Sequence, residues 1–504
     1  MMRGVTHRRN RAAAAALIFA LFARSSAVVA DDELPDLGDA AQAMVTPQDE
    51  RRLGEQSMAQ IRASGGYLDD PEVNAYLDAI GQRLVAGLTA SHPDFTFFAV
   101  PSSEINAFAM PGGFVGVNAG LIQAARSESE LASVLAHEIT HVTQHHIARQ
   151  MAASANTQMV TMAALLAALV AAHSGNGQVA SAAMSTTMAT QVQSQINYTR
   201  EHEREADRIG FALLERTGFD SRAMAGFFER LQQAVRGQEG ATPSYLRSHP
   251  MTHERVADAQ DREARVPYRQ IADSPDFHFV RALLHSYDGR PEDAVNDFTS
   301  RLAEKRFQDR AATRYGLAAA LLRAKDLPRA LKEIDGLERD GVQHPMIEAL
   351  AGQILQQAGQ YQAAQRRYEK ALARYPQHLQ LVHDYPRILL HERRYGELVR
   401  FAEQALVSRA GDASLHQVAA EAYAALGNGM QSHRHQGEYY AALGDSAGAV
   451  EQLELALRAD SGQGADTREL LVIESRLKAL RGKRAQSAGQ GAPGAAGLTA
   501  ATFQ

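Results

Sequence analysis

His137 and His141 stand four residues apart in "LAHEITHVTQHH", with Glu138 directly after the first. If that stretch is helical, residues four apart share a face and both imidazoles can point a nitrogen at one metal ion. Glu138 then lies about 100° further round the helix, where a carboxylate reaches a metal-bound water without ligating the metal. The chemistry such an arrangement could perform is metal-assisted peptide hydrolysis. Zinc brings the pKa of bound water from about 15.7 to about 7, and Glu138 can take the proton and pass it to the leaving amine. Two histidines do not complete such a site, which needs three protein ligands and one open position. A third histidine at the metzincin spacing would stand at 147, with glycine at 144; the chain has Ile147 and Gln144 instead. The alternative is a carboxylate from a second helix. "EHEREAD" offers Glu201, Glu203, Glu205 and Asp207, and spacing alone does not choose among the glutamates. His145 and His146 read as exposed and non-catalytic. His249, just before Pro250, can act as a fourth ligand that displaces the attacking water, or as a donor to the oxyanion. Arg255 can serve either structure or transition-state charge.

These residues need a scaffold. From Asp49 to about Leu88 apolar residues recur at helical spacing. "FTFFAV" then reads as a strand, and "INAFAM" and "FVGVN" as two strands joined by the tight turn Pro111-Gly112-Gly113. Ser127 and Glu130 form a capping box that opens the helix of the two histidines. Residues 151–196 are rich in Ala, Met, Ser and Thr; the run at 159–172 reads as a buried hairpin or as a peripheral contact with a membrane or unfolded client. It is too short for a spanning helix, which disfavours a membrane-embedded peptidase. "TREHEREADRIGFALLERTG" reads as a polar helix stopping near Gly218, and "RGQEGATPSYLRSHP" as a loop leading to His249.

From about residue 275 the chain is helical and repetitive. Ala294, Ala330, Ala364 and Leu398 follow one another at steps of 36, 34 and 34. Gly359, Tyr361, Ala364, Tyr368, Ala371 and Pro376 fall where a 34-residue tetratricopeptide unit places them. Gly444, Ala449 and Ala456 repeat the second half of that pattern, but Leu398 to Ala449 is 51 residues, one and a half units. An irregular or interlocked hairpin is expected there. Stacked pairs of this kind form a concave surface.

The N-terminus is a separate matter. Arg3, Arg8, Arg9 and Arg11 precede twelve apolar residues, Ala12 to Ala23, and small residues follow to Ala30. This is the layout of a secretory signal peptide, with cleavage expected after Ala30. Removing its five arginines takes the net charge from −6 to −11, which argues against nucleic acid as a partner. The absence of cysteine excludes a thiol nucleophile and disulfides. The organisation read from the sequence is a signal peptide at 1–30, a loose acidic segment at 31–47, a metallopeptidase domain at 48–268, a repeat domain at 275–480 and a disordered tail at 482–504.

"HEITH" followed by "EREAD" resembles the M48 family of zinc metallopeptidases. The resemblance implies an α+β gluzincin-type domain, mostly helical with a small sheet, ahead of an all-α tetratricopeptide solenoid. It implies one zinc ion held by His137, His141 and Glu203, with Asp207 behind a histidine ligand. "SHPMTHER" resembles the family's downstream segment at His249, Pro250 and Arg255, and implies that His249 can occupy the open zinc position reversibly. "NAFAMPGGFVGVNAGLI" resembles the strand pair whose edge could hold an extended peptide by β-addition. The whole layout resembles periplasmic members that work at the outer-membrane β-barrel assembly machinery. Those promote maturation of barrel proteins, contact the machinery through their repeats and degrade stalled barrels. The competing reading is a chaperone or assembly scaffold whose zinc site is mainly latent.

Overall fold

The computed structural model describes residues 46–150, 152, 199–237, 244–459 and 467–489. The signal segment, the apolar run at 159–172 and residues 490–504 lie outside the described residues. The chain opens with helices α1 (Pro47–Ala63) and α2 (Pro71–Val85). Thr46 and Asp70 cap them by accepting from backbone N–H groups, and each has proline in its first turn, where a missing N–H costs nothing. The helical pattern from 49 to 88 is thus divided at Gly65, whose φ of 75° breaks the helix.

Three short strands follow: β1 (Thr96–Val100), β2 (Ala107–Met110) and β3 (Phe114–Asn118). Their order is β1-β3-β2, with β1 parallel and β2 antiparallel to β3. Gly112 and Gly113 make the β2–β3 turn at φ of 74° and 88°. A Cβ on Gly112 would meet the Arg51 backbone at 2.4 Å, so α1 lies directly over the turn.

After α3 (Ala119–Ala124) comes α4 (Glu128–Thr143). Ser127 Oγ accepts from the Glu130 N–H, while the Glu130 carboxylate accepts from the Arg126 N–H at 2.7 Å and pairs with Arg230. The capping box is present, with its return bond moved one residue outward. Almost the whole of α4 is buried, which fits a central helix rather than an amphipathic surface one. Across it runs α5 (199–217), closed by Gly218 at φ 75°. The two helices approach so closely that a Cβ on Gly210 would lie 3.2 Å from the Ala136 carbonyl carbon and the His137 nitrogen. Helices α6 (Ala223–Gly237), α7 (Ser244–Ser248) and α8 (His253–Arg265) complete this part. The stretch read as a loop before His249 therefore contains a short helix: the Tyr245 N–H bonds Ile105 O, and the His249 N–H bonds Tyr245 O at 2.8 Å.

Six helix pairs follow: α9 (Pro275–Ser286) and α10 (Pro291–Ala303), α11 (Arg310–Arg323) and α12 (Leu327–Arg339), α13 (Pro345–Gln357) and α14 (Tyr361–Arg374), α15 (Leu379–His391) and α16 (Tyr395–Leu406), α17 (Ala413–Ala425) and α18 (Gly429–Ala442), α19 (Ser446–Ala459) and α20 (Thr467–Gly489). Ala294, Ala330, Ala364 and Leu398 each sit at the fourth position of a second helix and are buried. The 51-residue step does not interrupt the stacking. The period continues through Ser432 in α18, and Ala449 lies on the next helix, α19, half a unit on; α18 packs against both α17 and α19. The backbone stays helical to Gly489, past residue 482 where a disordered tail is expected; the segment's Arg, Lys, Leu, Ala and Gln are good helix formers.

Packing is continuous from the first part into the repeats. Phe277, Val280 and Leu350 belong to the same buried cluster as Leu77, Val115 and Leu131. Polar ties add to it: Tyr287 Oη donates to Asp70 at 2.6 Å, Gln123 Nε2 donates to Asp288 at 3.2 Å, and His378 Nε2 lies 3.0 Å from Glu72. Further along, a Cβ on Gly444, in the α18–α19 turn, would be 3.3 Å from the Ala59 Cβ of α1.

The α4–α5 crossing gives a test. Gly210→Leu forces apart the helices that carry His137 and Glu203. The expected result is a loss of about 1–3 kcal/mol on urea unfolding, with weakened metal binding as well, measured on the same preparation.

Candidate metal centre

The α4 helix places His137 and His141 on one face, and α5 brings Glu203 up to them. His141 Nε2 lies 3.0 Å from His137 Nε2 and 3.4 Å from Glu203 Oε1, and His137 Nε2 lies 3.4 Å from Glu203 Oε2. His249 enters from beyond α7, its Nδ1 2.9 Å from Glu203 Oε1 and 3.3 Å from His137 Nε2. One ligand atom from each of the four residues lies within 4.8 Å of all the others, the one such group among the described residues.

The donor set fits a zinc-like ion. Nitrogen and carboxylate ligands about 2.0–2.1 Å from a tetrahedral centre lie about 3.3 Å apart, close to the separations found. Hydrogen bonds do not account for the arrangement. His137 Nε2 faces two imidazole nitrogens and a carboxylate oxygen at once, and one proton cannot serve three acceptors. Glu138 is 1% exposed, and its Oε1 has no hydrogen-bond partner among the described residues. That oxygen is 3.4 Å from His249 Nε2.

Behind the cluster lies a second layer of charge. His137 Nδ1 is 2.9 Å from Asp207 Oδ1. Arg255 is 2% exposed and forms a fork on Asp207, with Nε to Oδ2 at 2.7 Å and Nη2 to Oδ1 at 2.8 Å. Its Nη1 reaches Glu203 Oε2 at 2.7 Å and donates to Pro250 O at 3.0 Å. Thr252 caps α8 by accepting from the Arg255 N–H, which fixes the arginine at that helix start. Burial works to raise the pKa of both carboxylates, but the groups around them outweigh it. His249 and His137 hold Glu203 well below its ordinary range, and Arg255 and His137 hold Asp207 down. Burial works against charge on His137, yet the hydrogen bonds and fields of Asp207 and Glu203 raise it to about 10. His141 is driven far the other way by burial and by His137 and His249. Without a metal, the cluster places its positive charge on His137.

All seven candidate residues fall into this one region: His137, Glu138, His141, Glu203, Asp207, His249 and Arg255. Of the glutamates in "EHEREAD", Glu203 faces the histidines, whereas Glu205 pairs with His146 and Arg149. Arg255 spends its donors on Asp207, Glu203 and Pro250 O. One expectation is overturned. His146 is not exposed: it is 3% accessible and lies against His141. His145, at φ 52°, is half-buried. Tyr245 escapes the sequence reading altogether. Its ring stacks on His249 at 4.8 Å, and its buried hydroxyl has no partner among the described residues. Its only signal is its place four residues before His249, which has meaning once α7 is known to be helical.

Residues 71–263 match Peptidase family M48. A relative in Vibrio cholerae is 34% identical over 301 residues, 59% of this chain and 62% of its own length. The beta-barrel assembly-enhancing protease of Escherichia coli is 30% identical over 61% of this chain and 63% of its own length. That of Yersinia pestis is 32% identical over 60% and 62%. The matched region thus spans a little over six tenths of these relatives. Among solved structures, a tetratricopeptide repeat protein from Parabacteroides merdae aligns with 50% of this chain and 97% of its own at 15% identity and a TM-score of 0.27, too low to read a fold from.

Two tests follow from the charge layout. Ligands must shed protons to bind metal. With His137 raised to about 10, binding at neutral pH expels about one proton. Apparent zinc affinity should then rise about tenfold per pH unit between about 7 and 10, read by chelator competition and by calorimetry in buffers of different ionisation enthalpy. Arg255→Ala strands two buried carboxylates; a loss of about 3–5 kcal/mol is expected in denaturant unfolding of the metal-free protein.

Proposed function

We propose that this chain, whose residues 71–263 match Peptidase family M48, is a periplasmic zinc metalloendopeptidase that promotes assembly of outer-membrane β-barrel proteins and degrades misassembled ones. The observation that carries the reading is the convergence of His137, His141, Glu203 and His249 beside a buried Glu138 oxygen that has no hydrogen-bond partner among the described residues. In this reading His137, His141 and Glu203 hold one zinc ion. Zinc supplies Lewis acidity and a water that ionises near neutral pH. Glu138 takes the proton from the attacking water and delivers it to the leaving nitrogen. Asp207 keeps the His137 ring in the tautomer that presents Nε2, and Arg255 keeps both carboxylates ionised and aimed. The small sheet ends in β2, whose outer edge is unpaired among the described strands; an extended segment can add there, so unfolded or stalled barrel chains are preferred to folded proteins. The tetratricopeptide-type repeats serve as the contact with the assembly machinery. The names of the E. coli and Y. pestis relatives support the barrel-assembly role. Among the described residues no helix is long and apolar enough to cross a membrane.

A second reading has its own support. His249 Nδ1 stands at the fourth vertex of the cluster, 2.9 Å from Glu203, where it closes the position that water needs. The enzyme then rests in a latent form, and a scaffold or chaperone role through the repeats dominates until His249 withdraws.

Casein cleavage by the zinc-loaded mature protein separates these. His249→Ala is expected to cut faster than wild type, and Glu138→Gln/His249→Ala to be slower than His249→Ala by about 10²–10⁴. If all three are inert with zinc bound, the peptidase reading fails for general substrates and the scaffold reading stands. Expression in a Gram-negative host with N-terminal sequencing of the periplasmic product should give a chain beginning at Asp31.

A further inference from the structure

We infer that His146 is a positioning residue that orients and polarises His141 through a one-way hydrogen-bond chain, His141 to His146 to Glu205, closed by Arg149. The inference rests on the reading of His137, His141 and Glu203 as metal ligands. Helix α4 ends at Thr143, and His145 adopts φ 52°, a left-handed conformation uncommon for a side chain with a Cβ. The helix breaks there and resumes at 146. The break sets His146 against His141, with Nδ1 to Nδ1 at 3.0 Å.

The direction of the protons follows from what each atom faces. His141 Nε2 faces the cluster, 3.0 Å from His137 Nε2 and 3.4 Å from Glu203. A ring that gives its Nε2 lone pair to a metal carries its proton on Nδ1. That proton points at His146 Nδ1, which must accept. His146 then carries its own proton on Nε2, 3.0 Å from Glu205 Oε2. A carboxylate only accepts, so this link has one possible direction. The same Glu205 oxygen receives Arg149 Nη1 at 3.0 Å. His202 stacks flat on His146, rings 4.1 Å apart and 7° from parallel, and fixes its plane.

The two metal-facing histidines of α4 are thus backed by one helix in two ways. Asp207 of α5 meets His137 directly; Glu205 of α5 meets His141 through an inserted imidazole. Outer partners of this kind set the ring plane and tautomer and make the ligand a better donor, and losing one costs about 10- to 100-fold in metal affinity.

The test uses the full mature chain and zinc alone. Zinc affinity by chelator competition, the visible spectrum of the cobalt-substituted protein and the Tm of the metal-free protein are measured for wild type, His146→Ala, His146→Asn and Glu205→Ala. His146→Ala is expected to weaken zinc binding about 10- to 100-fold and to shift the cobalt bands. His146→Asn, whose carbonyl oxygen can take the His141 proton, restores most of the affinity, while the metal-free Tm of the two variants is the same. Glu205→Ala, which leaves both histidines in place, gives a smaller loss in the same direction and serves if His146→Ala does not fold. Wild-type affinity in His146→Ala, or equal weakening in His146→Ala and His146→Asn, overturns the relay and leaves the metal site standing. A wild-type chain that takes up no zinc overturns the site reading itself.

Discussion

Glu203 and Asp207 bring two carboxylates within one helical turn in a place closed to water, and a single guanidinium, Arg255, lies across both. A buried anion is costly unless it is paired and hydrogen-bonded. One cation against two anions leaves a deficit of positive charge at the centre of the domain. In the metal-free molecule a proton on His137 fills that deficit; a bound divalent cation would fill it better. Much of the surrounding structure answers to this constraint. The α4–α5 crossing at Gly210 brings His137 to the carboxylates. The Thr252 cap starts α8 where Arg255 must stand, and Pro250, next to His249, offers its carbonyl to the same guanidinium.

Helix α5 is the part on which the others register. Its residues 203 and 207 face the cluster, while 202 and 205 face His146. The sequence shows why one helix can do both: a run with His, Glu or Asp at five nearby positions has polar groups on more than one face. It does not show which face turns inward. That depends on the approach of α4, which is set by a glycine with no chemistry of its own. The choice of Glu203 over its neighbours therefore came from a resemblance and not from periodicity.

Much of the scaffold was legible because its signals are local. Ser127 caps the helix it was read to open, and the Pro-Gly-Gly turn joins β2 to β3. The misses were non-local. His146 reads as one more polar residue in a histidine-rich run, and only the helix break at His145 makes it an inner residue. The α7 helix, five residues long, is held partly by Tyr245's backbone bond to Ile105, far away in sequence. The repeat period was clear to Leu398. It became obscure at α18, where the polar, part-exposed Ser432 stands at the position that earlier units fill with a buried Ala or Leu.

The contacts between the repeats and the first helices change the mechanics of the solenoid. A linear array tethered at one end behaves as a chain of nearest-neighbour springs, and its free end frays first. Here the array is pinned at its start by Tyr287 on Asp70, again at its middle by His378 on Glu72, and touched near its far end where Gly444 meets Ala59. A curved rod fixed at several points cannot straighten without breaking every tie beyond the bend. Its soft mode is confined to α19 and α20, the two helices past the last tie, while the rest flexes together with the domain that holds the metal cluster. Force applied at the end of the array would therefore arrive at α1 and α2, and through them at the small sheet, as a single strain instead of dissipating repeat by repeat.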